Sequence, residues 1–124
     1  MFTRHLVLVF VLALGALLPL RVNAVATALD PRIEAAVALY RQDGAEAALP
    51  VFERLSATLG KTAAPHDQAA VLHYIGECHW RLGEFSEARN YLDQALALER
   101  RSGDRTGQGK TLNVLGLLAW DQGD

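Results

Sequence analysis

The segment HYIGECHW at residues 73–80 brings together side chains that could ligate a metal ion. His73 and Glu77 are four residues apart, and Cys78 and His79 follow directly. Successive residues of a helix turn by about 100°, so at most two of these four side chains share a face. A zinc site needs three or four converging ligands. The spacing therefore argues against a metal site, and we expect this chain to need neither a metal nor another cofactor.

Catalytic motifs are also incomplete. None of the three serines stands in a Gly-x-Ser-x-Gly elbow, and the adjacent Cys78 and His79 fall on different faces of a helix, out of nucleophile–base contact. The segment GDRTGQGKT at residues 103–111 is similar to a phosphate-binding loop. However, the glycine required five residues before Gly109 is replaced by Asp104, and no buried strand precedes the segment. We therefore expect no catalysis by this chain.

The elements that must position these residues repeat at an interval of forty residues. Trp80 and Gly83 recur as Trp120 and Gly123, and Tyr40 occupies the position one period before Trp80. Further identities at the same interval pair Gln68 with Gln108, Leu72 with Leu112, and Gly76 with Gly116. An interval of this length is typical of a solenoid, in which each unit buries its apolar face against its neighbours.

Within each period the apolar residues recur three or four positions apart, which predicts helices and no strands. Asp30 and Asp104 are candidate N-caps, and Pro31 suits a first helical turn. Gly60 and Gly103 suit helix C-termini. The predicted helices cover residues 31–42, 45–59, 67–82, 85–101 and 105–120, and short turns at 43–45 and 83–84 make each pair antiparallel.

The segment VLHYIGECHWRLGEFSEARNYLDQALAL, residues 71–98, resembles a tetratricopeptide repeat. The forty-residue period and the Gly-Asp-Arg linker are similar to a subtype with long helices. The resemblance implies an all-α solenoid of antiparallel helix pairs that forms a right-handed superhelix, with repeats at 30–64, 65–104 and 105–124. The residues that carry the motif are Leu72, Ile75, Gly76, Gly83, Phe85, Ala88 and Leu92.

Small residues in this motif predict a close approach of the two helices of a pair. Gly76, Ala88 and Ala95 would let the helices pack near the short end of the usual interaxial range. We expect His79 to lie between the two helices of this pair, and Cys78 to face the preceding helix.

The resemblance also implies that the first helices of the repeats line a concave groove that binds a peptide or protein. Asn113 would supply an amide that holds a ligand backbone, and we expect the polar groove residues to be at least partly exposed. The two tryptophans have an alternative role in packing between repeats. Ile33, Val37 and Tyr40 continue the line on the first repeat. The predicted groove residues are His73, Glu77, Trp80, Arg81, Lys110, Asn113 and Trp120.

Residues 1–24 have the features of a secretory signal peptide. Arg4 precedes an apolar run at residues 6–20, Pro19 interrupts it, and Val22 and Ala24 provide small residues for cleavage. The run is shorter than the ~20 residues that span a bilayer as a helix. We predict export to the periplasm or the extracellular space. An uncleaved membrane anchor formed by residues 6–20 is the alternative.

Charge and repeat architecture limit the function. Residues 25–124 carry 10 Lys or Arg against 14 Asp or Glu, with the signs interspersed, so we expect no nucleic-acid partner. We favour an exported, non-catalytic scaffold that binds a peptide or protein. The alternatives are a membrane-anchored sensor and the recognition segment of a larger enzyme, because exported arrays of this subtype resemble those that precede caspase-like CHAT peptidase domains.

The third repeat stops after its first helix, which predicts that a packing partner is missing. The segment TLNVLGLLAW, residues 111–120, would then leave several apolar side chains uncovered. We expect the chain to be a fragment of a longer array, and we expect this helix either to fray or to drive self-association.

Overall fold

The computed structural model describes residues 28–123 and contains five α-helices in that range. The predicted signal peptide at residues 1–24 lies outside the described residues. None of the five helices combines the length and the hydropathy that a membrane span needs. The helices are α1 (Pro31–Asp43), α2 (Ala45–Leu59), α3 (Pro65–Arg81), α4 (Phe85–Ser102) and α5 (Arg105–Asp121), with a 3₁₀ turn at Gly60–Thr62 between α2 and α3.

The predicted caps are confirmed at the starts of α1 and α5. The Asp30 carboxylate accepts a hydrogen bond from the Arg32 backbone N–H at 2.9 Å, and Asp104 accepts one from Gly107 at 2.9 Å. Gly103 ends α4 with φ of 73°, a left-handed conformation that glycine adopts without steric cost. The start of α3 differs from the prediction by two residues, since this helix begins at Pro65.

Each helix packs against the next one along the chain, and the first helices of successive repeats also touch each other. The described chain is therefore a stack of helix pairs, α1 with α2 and α3 with α4, followed by α5 as a third first helix. This arrangement confirms the predicted all-α repeat solenoid.

Two apolar clusters hold the stack together. The first joins both helices of repeat one to α3, and Phe52 stacks on Tyr74 in it with 5.2 Å between ring centroids. Cys78 is fully buried in this cluster, as predicted for a residue that faces the preceding helix. The second cluster joins α4 to α5 and consists of Ala88, Leu92, Val114 and Leu118, with Trp80, Phe85 and Leu115 packed against it.

The two helices of the second pair lie very close to each other at Gly76. A Cβ atom added there would lie 2.7 Å from Leu92 Cγ and 3.1 Å from the Ala88 carbonyl oxygen. Only glycine therefore permits this separation of α3 and α4.

His79 lies between the same two helices. Its ring stacks on Tyr91 of α4 with 5.5 Å between ring centroids, which confirms its predicted place between the paired helices.

Gly76→Ala and Gly116→Ala form a matched pair, because the two glycines are one period apart and both lie within helices. A Cβ at Gly116 would meet no atom within 4 Å. Alanine at this position should raise the free energy of unfolding by up to ~1 kcal/mol through its helix propensity. Gly76→Ala should lower it by ~1–2 kcal/mol, because the overpacking cost exceeds the same gain.

Urea unfolding of both variants would test this prediction. Equal stabilisation by the two substitutions would contradict the close approach at Gly76.

Candidate functional site

The predicted groove residues belong to a line of side chains that recurs on each first helix, here called the first-helix row. On α1 and α3 most of the row is buried or half-buried, whereas on α5 much of it is exposed. Ile33 is 0% and His73 is 8% exposed, in contrast to Trp120 at 81%. The members of the row are Ile33, Val37 and Tyr40 on α1, His73, Glu77 and Trp80 on α3, and Asn113, Leu117 and Trp120 on α5.

The expectation that His73 is exposed is wrong. Its ring is buried where α5 crosses α3, and His73 Nδ1 lies 2.9 Å from the Thr111 hydroxyl oxygen. A period of forty residues places His73 on the correct helix face, but the rotation between repeats brings α5 directly onto that face. His73 therefore takes part in the contact between repeats.

Glu77 is a half-buried residue of α3 whose side chain reaches α1. Its carboxylate accepts a hydrogen bond from the Tyr40 hydroxyl at 2.9 Å, and its other oxygen lies 3.4 Å from His73 Nε2. Burial acts to raise the pKa of Glu77, but the hydrogen bonds from His73 and Tyr40 outweigh it and leave the pKa below its usual value. Burial and the Glu77 charge raise the pKa of Tyr40 to about 12. Glu77 is thus an anion that links the first two repeats.

Glu99 is a buried acid that the sequence analysis missed. It is 3% exposed on α4, and its Oε1 accepts a hydrogen bond from the Thr111 hydroxyl at 2.8 Å. Its Oε2 has no hydrogen-bond partner among the described residues. Burial raises the pKa of Glu99 despite the hydrogen bond from Thr111. A signal was present in the sequence, because Glu99 continues the buried stripe of Ala88, Leu92, Ala95 and Leu96 at helical spacing.

These groups form one connected polar relay, defined by Tyr40, Glu77, His73, Thr111 and Glu99. Thr111 has one hydroxyl hydrogen, and two proton arrangements satisfy the relay. In the first, His73 is an imidazolium that donates to Glu77 and Thr111, and Thr111 donates to a Glu99 carboxylate. In the second, protonated Glu99 donates to Thr111, which donates to neutral His73.

The two arrangements have the same net charge, and both join α3 and α4 through the Thr111 hydroxyl of α5. Because His73, Thr111 and Glu99 are buried, this chemistry binds the helices to each other and offers no reactive group to solvent.

The remaining predicted groove residues fall into two groups, one at the end of α3 and the other on α5. In the first group, Trp80 Nε1 donates to the Asp121 carboxylate of α5 at 2.6 Å, and the Arg81 guanidinium lies over the Trp80 ring at 4.7 Å. Arg81 is exposed, so this end of the row meets solvent. The second group consists of Lys110, Asn113 and Trp120, which are all exposed on α5.

Within residues 28–123, no three His, Cys, Asp or Glu side chains are grouped as metal ligands would be.

A half-open cavity of about 870 Å³ lies away from the row. It is formed by the second helices α2 and α4 with the start of α3, and Leu59, Leu72 and Leu98 line its apolar part. Lys61 and Arg101 line it as well, and no carboxylate does. None of the predicted groove residues borders this cavity.

Comparison with protein families gives a match that covers nearly all of the residues that the structure describes. The family model described as tetratricopeptide repeat matches residues 26–101 and again residues 67–124. No curated protein matches the chain at a significant level.

The relay predicts that His73 and Glu77 stabilise the fold. His73→Ala and Glu77→Ala should each lower the free energy of unfolding by ~1–3 kcal/mol, because each leaves buried hydrogen-bonding groups without partners. Asn113→Ala is the matched control, since Asn113 lies one period after His73 and is exposed. It should change stability by no more than ~0.5 kcal/mol. Denaturant titrations that gave all three variants the same midpoint would refute the structural role of the relay.

Glu99 predicts a pH dependence of stability. Its pKa is raised above 4.5 in the folded chain, so folding favours the protonated acid. Its contribution to stability is therefore fully present below the unfolded pKa and is lost as the pH rises through the folded pKa. Glu99→Gln removes this loss and keeps an oxygen that accepts from Thr111.

The stability of the wild type relative to Glu99→Gln should consequently fall as the pH rises above the usual carboxyl pKa of 4.5. Urea unfolding at a series of pH values that begins at the usual carboxyl pKa would measure the difference. A constant difference across the range would mean that the pKa of Glu99 is not raised by folding.

Proposed function

The chain belongs to the tetratricopeptide repeat family, and on that basis we propose that it is an exported scaffold that binds a segment of another protein along its first helices. Repeats of this family generally mediate protein–protein interaction. The part of the first-helix row that lies on α5 is the binding surface in this proposal, together with Arg81 at the end of α3. His73 and Glu77 support that surface from within.

The observation that carries the proposal is the exposure of the row on α5. Leu117 is 43% and Trp120 is 81% exposed, and Lys110 and Asn113 are exposed in earlier turns of the same helix. A helix that exposes a tryptophan, a cation and an amide can combine a large apolar contact with hydrogen bonds to a peptide backbone. Large exposed apolar side chains of this kind mark interaction sites on soluble proteins.

Binding without catalysis is the proposed mode of action. Burial raises the pKa of the single cysteine, Cys78, to about 12, which keeps its thiol protonated and away from solvent. His73 and His79 are buried in contacts between helices. The exposed side chains of the row offer contact area and charge to a ligand, and they include no nucleophile next to a base.

Export is part of the proposal and rests on the sequence of the first 24 residues. The basic residue, the short apolar run and the small residues near Ala24 support cleavage after this segment. The surface would then meet partners outside the cytoplasm.

Affinity capture from the source cells tests the proposal. The chain would be expressed with its own N-terminal segment and a C-terminal tag behind a flexible linker, and bound proteins would be quantified by mass spectrometry. A double variant, Asn113→Ala with Trp120→Ala, should reduce capture of a specific partner at least tenfold, because hot-spot residues contribute ~2 kcal/mol or more. Arg101→Ala with Gln94→Ala, which alters exposed residues of the cavity on α4, should leave capture unchanged.

The N-terminus of the captured chain would be sequenced in the same experiment. A chain that begins near Val25 supports export, and an intact N-terminus would instead indicate a membrane anchor. Equal capture by both double variants, or no specific partner for the wild type, would overturn the proposed binding surface.

A further inference from the structure

The half-open cavity away from the first-helix row lies between two second helices. Both α2 and α4 pack on α3, but they have no extensive contact with each other, so a space remains between them. Val71 and Leu72 of α3 line this space, together with Leu59 of α2 and Leu98 of α4. Its volume of about 870 Å³ lies in the range of small-molecule sites, which are also mostly apolar.

Both cations of the cavity lie at the same end of it. Lys61 directly follows α2, and Arg101 lies in the last turn of α4. The Gln68 side chain of α3 donates to the Lys61 carbonyl at 3.0 Å, and His66 of α3 lies 3.3 Å from the Asp104 carboxylate, just beyond α4. The start of α3 therefore adjoins the ends of α2 and α4, and the cavity has a cationic end beside an apolar middle.

These two cations lack an opposite charge. Neither Lys61 nor Arg101 forms an ion pair within the part of the chain that the structure describes, and no carboxylate lines the cavity. The Gln68 amide also donates to the Ala63 carbonyl at 2.6 Å, which holds the turn that carries Lys61 against α3. Two positive charges thus border one end of an apolar space without compensation, and they favour an anionic ligand.

We propose that this cavity binds a small amphiphile, an aliphatic carboxylate, whose head group lies at Lys61 and Arg101 and whose alkyl chain lies along Leu59, Leu72 and Leu98. The planar guanidinium of arginine matches the two oxygens of a carboxylate. The alkyl chain gains free energy because the leucines remove it from water. This ligand site shares no residue with the proposed protein-binding surface, and it goes beyond the proposed function.

The cavity also limits the length of the alkyl chain. The α4 residues that line it extend from Gln94 to Arg101, and this part of the helix is about 10 Å long. An extended chain of about eight carbons has a similar length, given that Arg101 marks the position of the head group. Octanoate is therefore the ligand that should fill the cavity from its cationic end to Gln94.

Titration of the full ¹⁵N-labelled chain with sodium octanoate, below the concentration at which it forms micelles, tests this site by nuclear magnetic resonance. The amide signals of Lys61, Leu72 and Leu98 should shift, and those of Asn113 and Trp120 should not. Hexanoate should bind about tenfold more weakly, because each buried methylene contributes ~0.8 kcal/mol. Decanoate should gain much less over octanoate, since its end would extend beyond the cavity.

The charge of the head group is tested with 1-octanol and with two double variants. Octanol should bind at least tenfold more weakly than octanoate, because hydrogen bonds to a charged group are lost. Lys61→Gln with Arg101→Gln should weaken octanoate to the same extent and leave octanol unchanged. Arg100→Gln with Lys110→Gln is the matched control, since it removes two exposed positive charges outside the cavity and should leave octanoate binding unchanged.

The possible failures are distinct. Equal binding of octanoate and octanol, or equal losses in the two double variants, would overturn the carboxylate site. Equal binding of hexanoate and octanoate would overturn the alkyl site, and a hexaglutamate peptide that bound as tightly as octanoate would indicate a protein ligand instead. Contacts between residues 1–27 and Leu72, or cavity signals that depend on chain concentration alone, would show that this chain fills its own cavity and would overturn the proposal. The proposed protein-binding surface would stand in each case.

Discussion

The close approach of α3 and α4 at Gly76 is the constraint on which the rest of the structure depends. The Leu92 side chain and the Ala88 carbonyl occupy the space that any larger residue at this position would need. This contact fixes the rotation of α3 about its axis, because a helix has a defined angle between successive residues. With Gly76 facing α4, the helical angles place Val71, Ile75 and Cys78 toward repeat one, and His73 and Trp80 toward α5.

The joints between repeats follow from that orientation. Apolar residues fill the spaces between the paired helices, but contacts between successive first helices include many polar groups. The polar relay crosses from Tyr40 on α1 to Glu99 on α4, and its burial makes each hydrogen bond costly to lose. A relay of this kind favours one register of stacking over others, because a shifted helix would leave buried charges without partners. On α5 the corresponding aromatic residue, Trp120, is exposed.

The helices, their caps and the seam between α3 and α4 were predictable from the sequence. Local signals define them, such as Asp30 and Asp104 before helical runs and glycines after them. The face that carries the row was also predictable from the spacing of His73 and Trp80. The burial of His73 was not, because it depends on the angle between repeats, which no local pattern encodes. Glu99 was missed for a related reason, since its hydrogen-bond partner Thr111 lies on a helix twelve residues further along the chain.

Acrylamide quenching of tryptophan fluorescence tests the central claim, that the first-helix row is covered on α3 and open on α5. Trp80→Phe leaves Trp120 as the sole emitter, and Trp120→Phe leaves Trp80. The structure predicts that Trp120 emits at longer wavelength and is quenched several times faster, because its ring is 81% exposed and that of Trp80 is packed against the α4–α5 cluster. Equal quenching and equal emission maxima for the two variants would contradict the claim.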